Sequence, residues 1–274
     1  MKLKRNLLYS AYRVLKKIQY IDRMNENNHI ANIVTYHRVN NYDEESLTVQ
    51  VDEFDRMMHQ ICSNYNVISL HTLIEQIKNK RAIEPKTVVI TFDDGYKDNY
   101  QYAAPILDKY QIPATFFIAS GYINTDKVFE WDRNSKVRHP MMTWDEVREL
   151  SQMGFDIGAH TMNHINLGKA PINIARNEIK GSKTHIEKEI NKQIKLFAFP
   201  FGRKDCIRDE IIEVVKEEGL ACCCSNYGGK VIDDNNLYNL CRIPTYTNTI
   251  ELTMELDNFM TYYDGKMSIN FKKQ

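Results

Sequence analysis

The stretch Thr91-Phe92-Asp93-Asp94-Gly95-Tyr96 carries two adjacent acidic side chains and directly follows a short apolar run. That run, Val88-Val89-Ile90, is apolar at every position, which is typical of a strand buried on both faces of a parallel sheet. Adjacent carboxylates at the end of a buried strand are costly unless a cation or a proton is bound there. The sequence DDG is also common in surface turns, so this stretch alone leaves a functional site and a turn as alternatives.

A second stretch, Gly158-Ala159-His160-Thr161-Met162-Asn163-His164, carries two histidines four residues apart. Two such histidines on one helical turn or tight loop can each direct a neutral ring nitrogen at the same ion. Together with Asp94 they form a two-histidine, one-carboxylate set that leaves coordination positions open for water and substrate. We therefore predict one divalent metal ion held by Asp94, His160 and His164. Zinc is the expected metal, although cobalt, nickel and iron also accept these ligands.

In their order and spacing, TFDDGY (91–96) and GAHTMNH (158–164) resemble the first two motifs of the NodB-type polysaccharide deacetylases, carbohydrate esterase family 4. FAFPFG (197–202) and MTWDE (142–146) extend this resemblance, which covers residues 30 to 245. The pair Tyr36-His37 is similar to the circularly permuted branch of the family, the exported poly-N-acetylglucosamine deacetylases. The resemblance implies a distorted (β/α)7-type barrel and metal-dependent hydrolysis of the N-acetyl group of an amino sugar, with release of acetate.

The pattern of segments independently predicts an α/β fold. Strands alternate with helices, which is typical of a parallel sheet, and about seven strands favour closure into a barrel. The candidate site residues follow strands, where the active sites of such barrels lie. We expect a basic amphipathic helix at 1–24, the barrel at 29–260 and a C-terminal tail at 261–274. Expected strands lie at 30–37, 66–70, 87–92, 114–119, 155–159, 195–199, 220–225 and 238–243. Expected helices lie at 51–63, 71–79, 100–110, 171–190, 207–218 and 250–259, with another beginning at Trp144.

The resemblance also implies roles in proton transfer. In the family the first aspartate of the pair is the base and the second is a ligand, so Asp93 would take a proton from water. Many members take their proton donor from a C-terminal histidine, but the last histidine here, His185, is expected on a polar helix. In the permuted branch a histidine near the N-terminus donates instead. His37 is therefore the expected acid, with a structural histidine as the alternative.

The third motif departs from the family pattern. It normally supplies an arginine that positions the base, and FAFPFG lacks that arginine before its proline. Arg242 is the predicted substitute, with Arg203 as second choice and a plain surface arginine as the alternative. The family uses a backbone N–H after the proline to bind the oxyanion, so Phe201 would supply it and Pro200 would fix its approach.

Aromatic residues are candidates for contacts with a sugar. Trp144 and Tyr96 can stack on sugar faces, or they can be part of the core. Residues 121–142 are irregular and aromatic, and are long enough to be an insertion over the site.

The composition argues against several classes of protein. Lys+Arg and Asp+Glu are both 36 among 274 residues, so net charge attracts no nucleic acid. The chain has no apolar run long enough to span a membrane, and its N-terminus lacks the apolar core of a secretory signal. Six cysteines without zinc-like spacing suit a reducing compartment. We therefore expect a cytoplasmic enzyme, acting on a lipid-linked or soluble glycan precursor.

The apolar residues within 2–23 fall on one face at about 100° per residue, which predicts an amphipathic helix. Such a helix can lie on an anionic membrane, which would place the enzyme peripherally on the inner membrane face, or it can dock on its own domain. The apolar residues of the pattern are Leu3, Leu7, Leu8, Ala11, Val14, Leu15, Ile18 and Ile21. Its basic residues are Lys2, Arg5, Arg13, Lys16, Lys17 and Arg23.

Two other functions compete with the deacetylase. One is a catalytically silent, carbohydrate-binding relative, which the complete set of polar residues disfavours. The other is a glycosidase with paired acids. Neighbouring residues rarely give the opposed carboxylates, about 5–9 Å apart, that glycosidases need, and the histidines would have no role.

Overall fold

The computed structural model describes residues 2–232 and 236–259, with side chains described from Arg5 onward. The tail expected at 261–274 lies outside the described residues. The strands are β1 Ala31–Tyr36, β2 Arg38–Val39, β3 Thr48–Val49, β4 Asn66–Val67, β5 Thr87–Phe92, β6 Ala114–Ile118 and β7 Asp156–Ala159. The α-helices are α1 Lys2–Lys17, α2 Tyr20–Asn25, α3 Val51–Asn64, α4 Leu70–Lys78, α5 Ala104–Lys109, α6 Trp144–Gln152, α7 Ile172–Ile190, α8 Asp209–Glu217 and α9 Thr249–Leu256.

Strand β5 is the centre of the sheet, and all six of its residues are buried. β1 pairs in parallel along one edge of β5, from Ala31 opposite Thr87 to Tyr36 opposite Phe92. The other edge is shared, because β4 pairs with the start of β5 and β6 pairs with its end. β7 then pairs in parallel with β6. The continuous apolar run of β5 is explained by this position, which has protein on both faces.

Three further segments close the sheet into a ring. Parallel bridges join Ala159 to Phe197, Ala198 to Cys224, Cys224 to Leu240, and Ile243 back to Val34 of β1. With β1, β5, β6 and β7 they form a seven-membered barrel, which confirms the predicted fold class. The barrel is distorted because the strands expected at 195–199, 220–225 and 238–243 pair over only one or two residues each.

The two faces of the ring have separate cores. The barrel interior is filled by residues from six of the seven ring segments, among them Ile33, Val89, Phe117, Ala198 and Leu240, and the side chains of α4 belong to the same cluster. Their sequence neighbours point outward and pack under the surrounding helices, as the alternation of side chains along a strand requires.

Several observed boundaries differ from the predicted ones for local reasons. The strand expected at 66–70 stops at Val67 because Ser69 is the N-cap of α4, where its hydroxyl accepts from the backbone N–H of Thr72. The helix expected at 100–110 begins with a π-helical turn at Asn99–Ala103. The helix that begins at Trp144 has the predicted capping box between Thr143 and Glu146.

The single helix expected at 2–23 is broken. Gln19 adopts a left-handed conformation with φ 58°, so α1 ends at Lys17 and α2 starts at Tyr20. The break lets Ile21 pack beside Tyr12 against residues of the C-terminal helix region. Within the described residues, the structure contains no helix that is long and apolar enough to cross a membrane.

Gly158 in β7 provides a test of the packing that delivers His160 to the barrel rim. A Cβ at this glycine would lie 2.5 Å from Cδ1 of Phe117 and 3.1 Å from the carbonyl oxygen of Leu196. Overpacking of this kind is strongly destabilising, so we expect Gly158→Ala to lower the free energy of unfolding by about 3 kcal/mol. Denaturant unfolding followed by circular dichroism measures the change.

Gly154→Ala is the matched control. Gly154 has φ +95° and open space around a Cβ, so alanine there carries only backbone strain, about 1 kcal/mol. Equal losses in the two variants would show that the contact with Phe117 does not restrict this strand.

Candidate metal centre and active site

The three predicted ligands meet at the C-terminal edge of the barrel. Asp94 follows β5, and His160 follows β7. Oδ1 of Asp94 lies 3.6 Å from Nε2 of His160 and 3.3 Å from Nε2 of His164. All three residues are buried. The fold therefore brings one carboxylate to two imidazoles that lie more than 60 residues further along the chain.

The donor chemistry of this group fits a divalent metal ion. His160 Nδ1 lies 2.8 Å from the carbonyl oxygen of Ala198, so Nδ1–H donates and Nε2 keeps its lone pair towards Asp94. Burial lowers the pKa of His160 to about 4, which keeps the ring neutral as ligation requires. The donor atoms of the three residues lie within 4.8 Å of one another. Nδ1 of His164 is buried and has no hydrogen-bond partner among the described residues.

The carboxylate of the group is ionised. Burial raises the pKa of Asp94, but its hydrogen bond and charge interaction with His164 outweigh burial and hold that pKa below its usual range. The ionised carboxylate of Asp94 and the neutral ring of His160 are in the protonation states that bind a divalent ion.

The backbone around the centre is strained. Asp94, Thr161, His164 and Phe201 have φ values of 77°, 61°, 51° and 62°, a left-handed conformation that non-glycine residues rarely adopt. Each such residue costs about 1–3 kcal/mol and persists only where its surroundings enforce it. The concentration of four of them on one rim is typical of a functional site.

Asp93 is held by a buried arginine. Arg242 donates from Nη1 to Oδ1 and from Nη2 to Oδ2 of Asp93, both at 2.7 Å. Arg242 also donates to the carbonyl of Ser225 at 2.9 Å and to Oγ1 of Thr91 at 3.2 Å. Burial raises the pKa of Asp93, but the charge of Arg242 outweighs burial and holds that pKa well below its usual range. Oδ2 of Asp93 is 3.9 Å from Nε2 of His160, so the carboxylate lies beside the ligand group.

His37 follows β1 on the same rim. Its Nδ1 lies 3.3 Å from Oγ1 of Thr245, and that hydroxyl donates to the carbonyl of Thr35 at 2.7 Å. Because the hydroxyl of Thr245 donates its proton to the carbonyl of Thr35, it can only accept from His37. Nδ1 of His37 is therefore the donor. Electrostatic interaction with His37 contributes to the lowered pKa of both Asp93 and Asp94. The structure thus brings His37 to the acid pair.

The alternatives for these positions lie elsewhere. Arg203 is exposed and forms an ion pair with Asp205 at 3.2 Å. His185 lies on α7, and its ring centroid is 4.7 Å from that of Trp144. Trp144 itself is 8% exposed and belongs to the main core. The structure therefore places Trp144 in the core, the second of the two roles expected for it.

An aromatic surface borders His164. Phe201, which follows buried Pro200, is 40% exposed, and its ring centroid is 4.8 Å from that of His164. Trp131 is 37% exposed, and its centroid lies 4.9 Å from that of His164. The sequence predicted an aromatic insertion over the site at 121–142, but it did not single out Trp131. Only the aromatic cluster at 129–131 hinted at it.

The ring of Tyr96 is buried and is not available to a sugar. It is 1% exposed, and its hydroxyl donates to Oδ2 of Asp132 at 2.6 Å while it accepts from Nε1 of Trp131 at 3.0 Å. Sugar stacking is therefore wrong for Tyr96. Arg38 completes the network, because it donates to Oδ1 of Asp132 at 2.6 Å and to Oγ1 of Thr48 at 3.0 Å. This network ties the insertion that carries Trp131 to the segment after His37.

A parallel barrel carries at its C-terminal rim a buried carboxylate–histidine cluster that could hold a metal ion. A family model for polysaccharide deacetylase matches residues 80–223, which is more than half of the 274-residue chain. The chain belongs to the polysaccharide deacetylase family.

Individual relatives agree with this family. The chain is 27% identical over 212 residues to YxkH of Bacillus subtilis (strain 168), which is named for the same family. That match covers 77% of this chain and 70% of YxkH. Over 175 residues it is 29% identical to a poly-beta-1,6-N-acetyl-D-glucosamine N-deacetylase of Staphylococcus aureus (strain MRSA252). That second match covers 61% of this chain and 57% of the relative's length.

Solved structures show the same fold. The deacetylase PplD of Streptococcus pyogenes, in complex with acetate, superposes with a TM-score of 0.70 at 24% identity over 82% of this chain and 97% of PplD. IcaB from Ammonifex degensii superposes with a TM-score of 0.71 at 18% identity over 84% of this chain and 97% of IcaB. These likenesses establish the shared barrel.

Tyr96 provides a test of the network that fixes Trp131. The chain has two tryptophans, so in a Trp144→Phe background Trp131 is the only indole reporter. Tyr96→Phe removes the acceptor of the Trp131 N–H, at a cost of about 1 kcal/mol. We expect acrylamide to quench Trp131 more efficiently in this variant.

Tyr102→Phe, at a tyrosine that is 37% exposed, is the control and should leave quenching unchanged. Identical quenching in the Tyr96→Phe and parent proteins would mean that the network does not hold Trp131.

Proposed function

We propose that this protein is a metal-dependent N-deacetylase that hydrolyses the N-acetyl group of an amino sugar in a polysaccharide or glycan precursor and releases acetate. One observation carries the proposal: Asp94, His160 and His164 form a buried ligand group directly beside Asp93, which Arg242 holds ionised. The name of the Staphylococcus aureus relative supports an N-acetylated amino sugar as the substrate class.

Asp94, His160 and His164 would hold the metal, with zinc as the expected ion. When bound, such an ion supplies Lewis acidity to the amide carbonyl oxygen and lowers the pKa of the attacking water. The neutral ring of His160, fixed by its bond to Ala198, is ready to ligate without reorganisation.

Asp93 acts as the base. Both of its oxygens accept from Arg242, but each carboxylate oxygen has a second lone pair with which to accept a proton from water. The bidentate contact prevents the carboxylate from turning into the ligand group, so Asp93 and Asp94 keep separate roles although they are adjacent. A carboxylate with a low pKa is a weak base, which is why the attacking water must be made more acidic.

His37 acts as the acid that gives a proton to the departing amine. It follows β1, and Asp93 follows the paired strand β5, where Tyr36 is opposite Phe92. The register therefore carries both groups to the same part of the rim. The contact of His37 Nδ1 with Thr245 fixes the ring and leaves Nε2 for the proton transfer.

Phe201 and Trp131 complete the site. The exposed rings beside His164 offer apolar faces on which a pyranose ring can stack. The backbone N–H of Phe201 donates to the developing oxyanion, and Pro200 fixes the direction of approach, as the family resemblance implies.

The first experiment measures acetate released from N-acetylglucosamine oligomers, together with the metal content of the purified protein. We expect activity with zinc and its loss after chelation. His164→Ala should lose most of the bound metal while circular dichroism shows an unchanged fold. Asp93→Asn should keep the metal but lose at least about 10²-fold in turnover, because only the basic group is removed.

These outcomes separate the competing functions. Metal binding without acetate release from any oligomer would indicate a silent carbohydrate-binding relative, whereas cleavage of glycosidic bonds would indicate a glycosidase. Full metal occupancy in His164→Ala would contradict the ligand assignment.

His37 is tested by comparison with His185. His37→Ala should keep its metal and lose about 10²–10⁴-fold in turnover, as expected for removal of a general acid. His185→Ala is the matched control, since His185 packs on Trp144, and its turnover should be unchanged. If His37→Ala stays within about threefold of the parent, well short of a general acid's effect, His37 is not the proton donor.

A further inference from the structure

The N-terminal helix α1 buries only part of its apolar surface. Tyr12 packs in a cluster with Ile21, Met254 and Phe259, and Leu8 and Leu15 pack against the edge of that cluster. Tyr12 also donates to Oδ2 of Asp257 at 2.7 Å, which fixes the rotation of the helix on the domain. One side of the helix therefore docks on its own domain, as one of the two sequence-based alternatives expects.

The other side of α1 carries apolar side chains that nothing in the described residues covers. Leu7, Val14 and Ile18, the last just after the end of α1, are 64%, 60% and 59% exposed. They are the most exposed large apolar side chains among the described residues, since no other exceeds 44%. Their spacing of seven and four residues places them in one row along the helix. We name Leu7, Val14 and Ile18 the outer stripe.

The helix that carries the outer stripe is strongly basic. α1 has the sequence KLKRNLLYSAYRVLKK, with six basic residues and no acidic one. The whole chain is neutral, so this helix concentrates cations that acids balance elsewhere. Lys16 turns inward to Asp22 and Asp257, whereas Arg5, Arg13 and Lys17 are exposed. At the helical repeat Arg13 and Lys17 lie along one side of the apolar row.

We propose that the outer stripe docks this protein onto an anionic lipid bilayer, with α1 in the plane of the surface. An apolar row bordered by lysine and arginine, without acids, matches the acyl–headgroup boundary of such a bilayer. The row is a ridge on one convex helix rather than a groove, which favours insertion among lipids over the capture of a peptide. Because the inner side of α1 is anchored by Tyr12 and Asp257, docking leaves the barrel folded and attached.

Co-sedimentation of the full chain with vesicles tests the proposal. Phosphatidylcholine vesicles containing phosphatidylglycerol should bind the protein, and pure phosphatidylcholine vesicles should bind it much more weakly. Binding should decrease with salt, because the cations act through a screened surface potential. The triple variant Leu7→Asn, Val14→Asn, Ile18→Asn should bind at least about tenfold more weakly, since it removes the inserting groups.

Ile172→Asn with Ile174→Asn is the matched control, because these α7 side chains are each 43% exposed on another surface. This control should bind vesicles as the parent does. Arg5→Gln, Arg13→Gln and Lys17→Gln together should reduce the preference for anionic lipid. Acetate release from soluble oligomers should be the same in all variants, so failure of docking is distinguishable from failure of the proposed reaction.

Three outcomes would overturn the proposal. The first is a parent protein that binds neither vesicle. The second is equal binding by the parent and the triple variant. The third is a parent that forms a concentration-dependent dimer which the triple variant lacks, because the outer stripe would then lie between two copies of the chain.

Discussion

The buried contact between Arg242 and Asp93 is the interaction on which the rest of the site depends. Asp93 and Asp94 are adjacent, buried and ionised, an arrangement that repulsion and desolvation oppose. Arg242 balances one of these charges through two hydrogen bonds and leaves the other for the ligand group. The same arginine adjoins Ile243, whose bridge to Val34 closes the barrel. Closure of the fold and ionisation of the acid pair therefore rely on one segment of chain.

Much of the site was predictable because the functional residues of a parallel barrel lie at the carboxyl ends of its strands. The apolar run of β5 marks a strand buried on both faces, so the acids after it had to emerge at the rim. His160 and His164 follow β7 for the same reason. The register of strands around the ring then fixes which rim residues meet. The sequence shows only that each ligand follows a strand, and the register brings these ligands together.

The aromatic residues could not be assigned in this way. Trp131 belongs to an irregular insertion, whose position depends on a hydrogen bond between Arg38 and Asp132, 94 residues apart. Tyr96 lies two residues after Asp94, yet its ring turns into the protein because its hydroxyl bridges Asp132 and Trp131. The last residue of the motif thus supports the exposed ring of Trp131, and that ring comes from the insertion. Long-range polar contacts of this kind leave no periodic pattern in a sequence.

The N-terminal helix shows a related limit. Periodicity measures how wide an apolar stripe is, but it cannot say which part of the stripe the domain covers. A helix that packs on one neighbour needs an apolar sector of about 100°, and the apolar residues at 2–23 span a wider sector than that. The bond between Tyr12 and Asp257, 245 residues apart, decides which sector is buried. The outer stripe keeps its apolar side chains although exposed side chains gain no packing energy. The basic residues of the same helix make an anionic lipid surface a fitting partner for it.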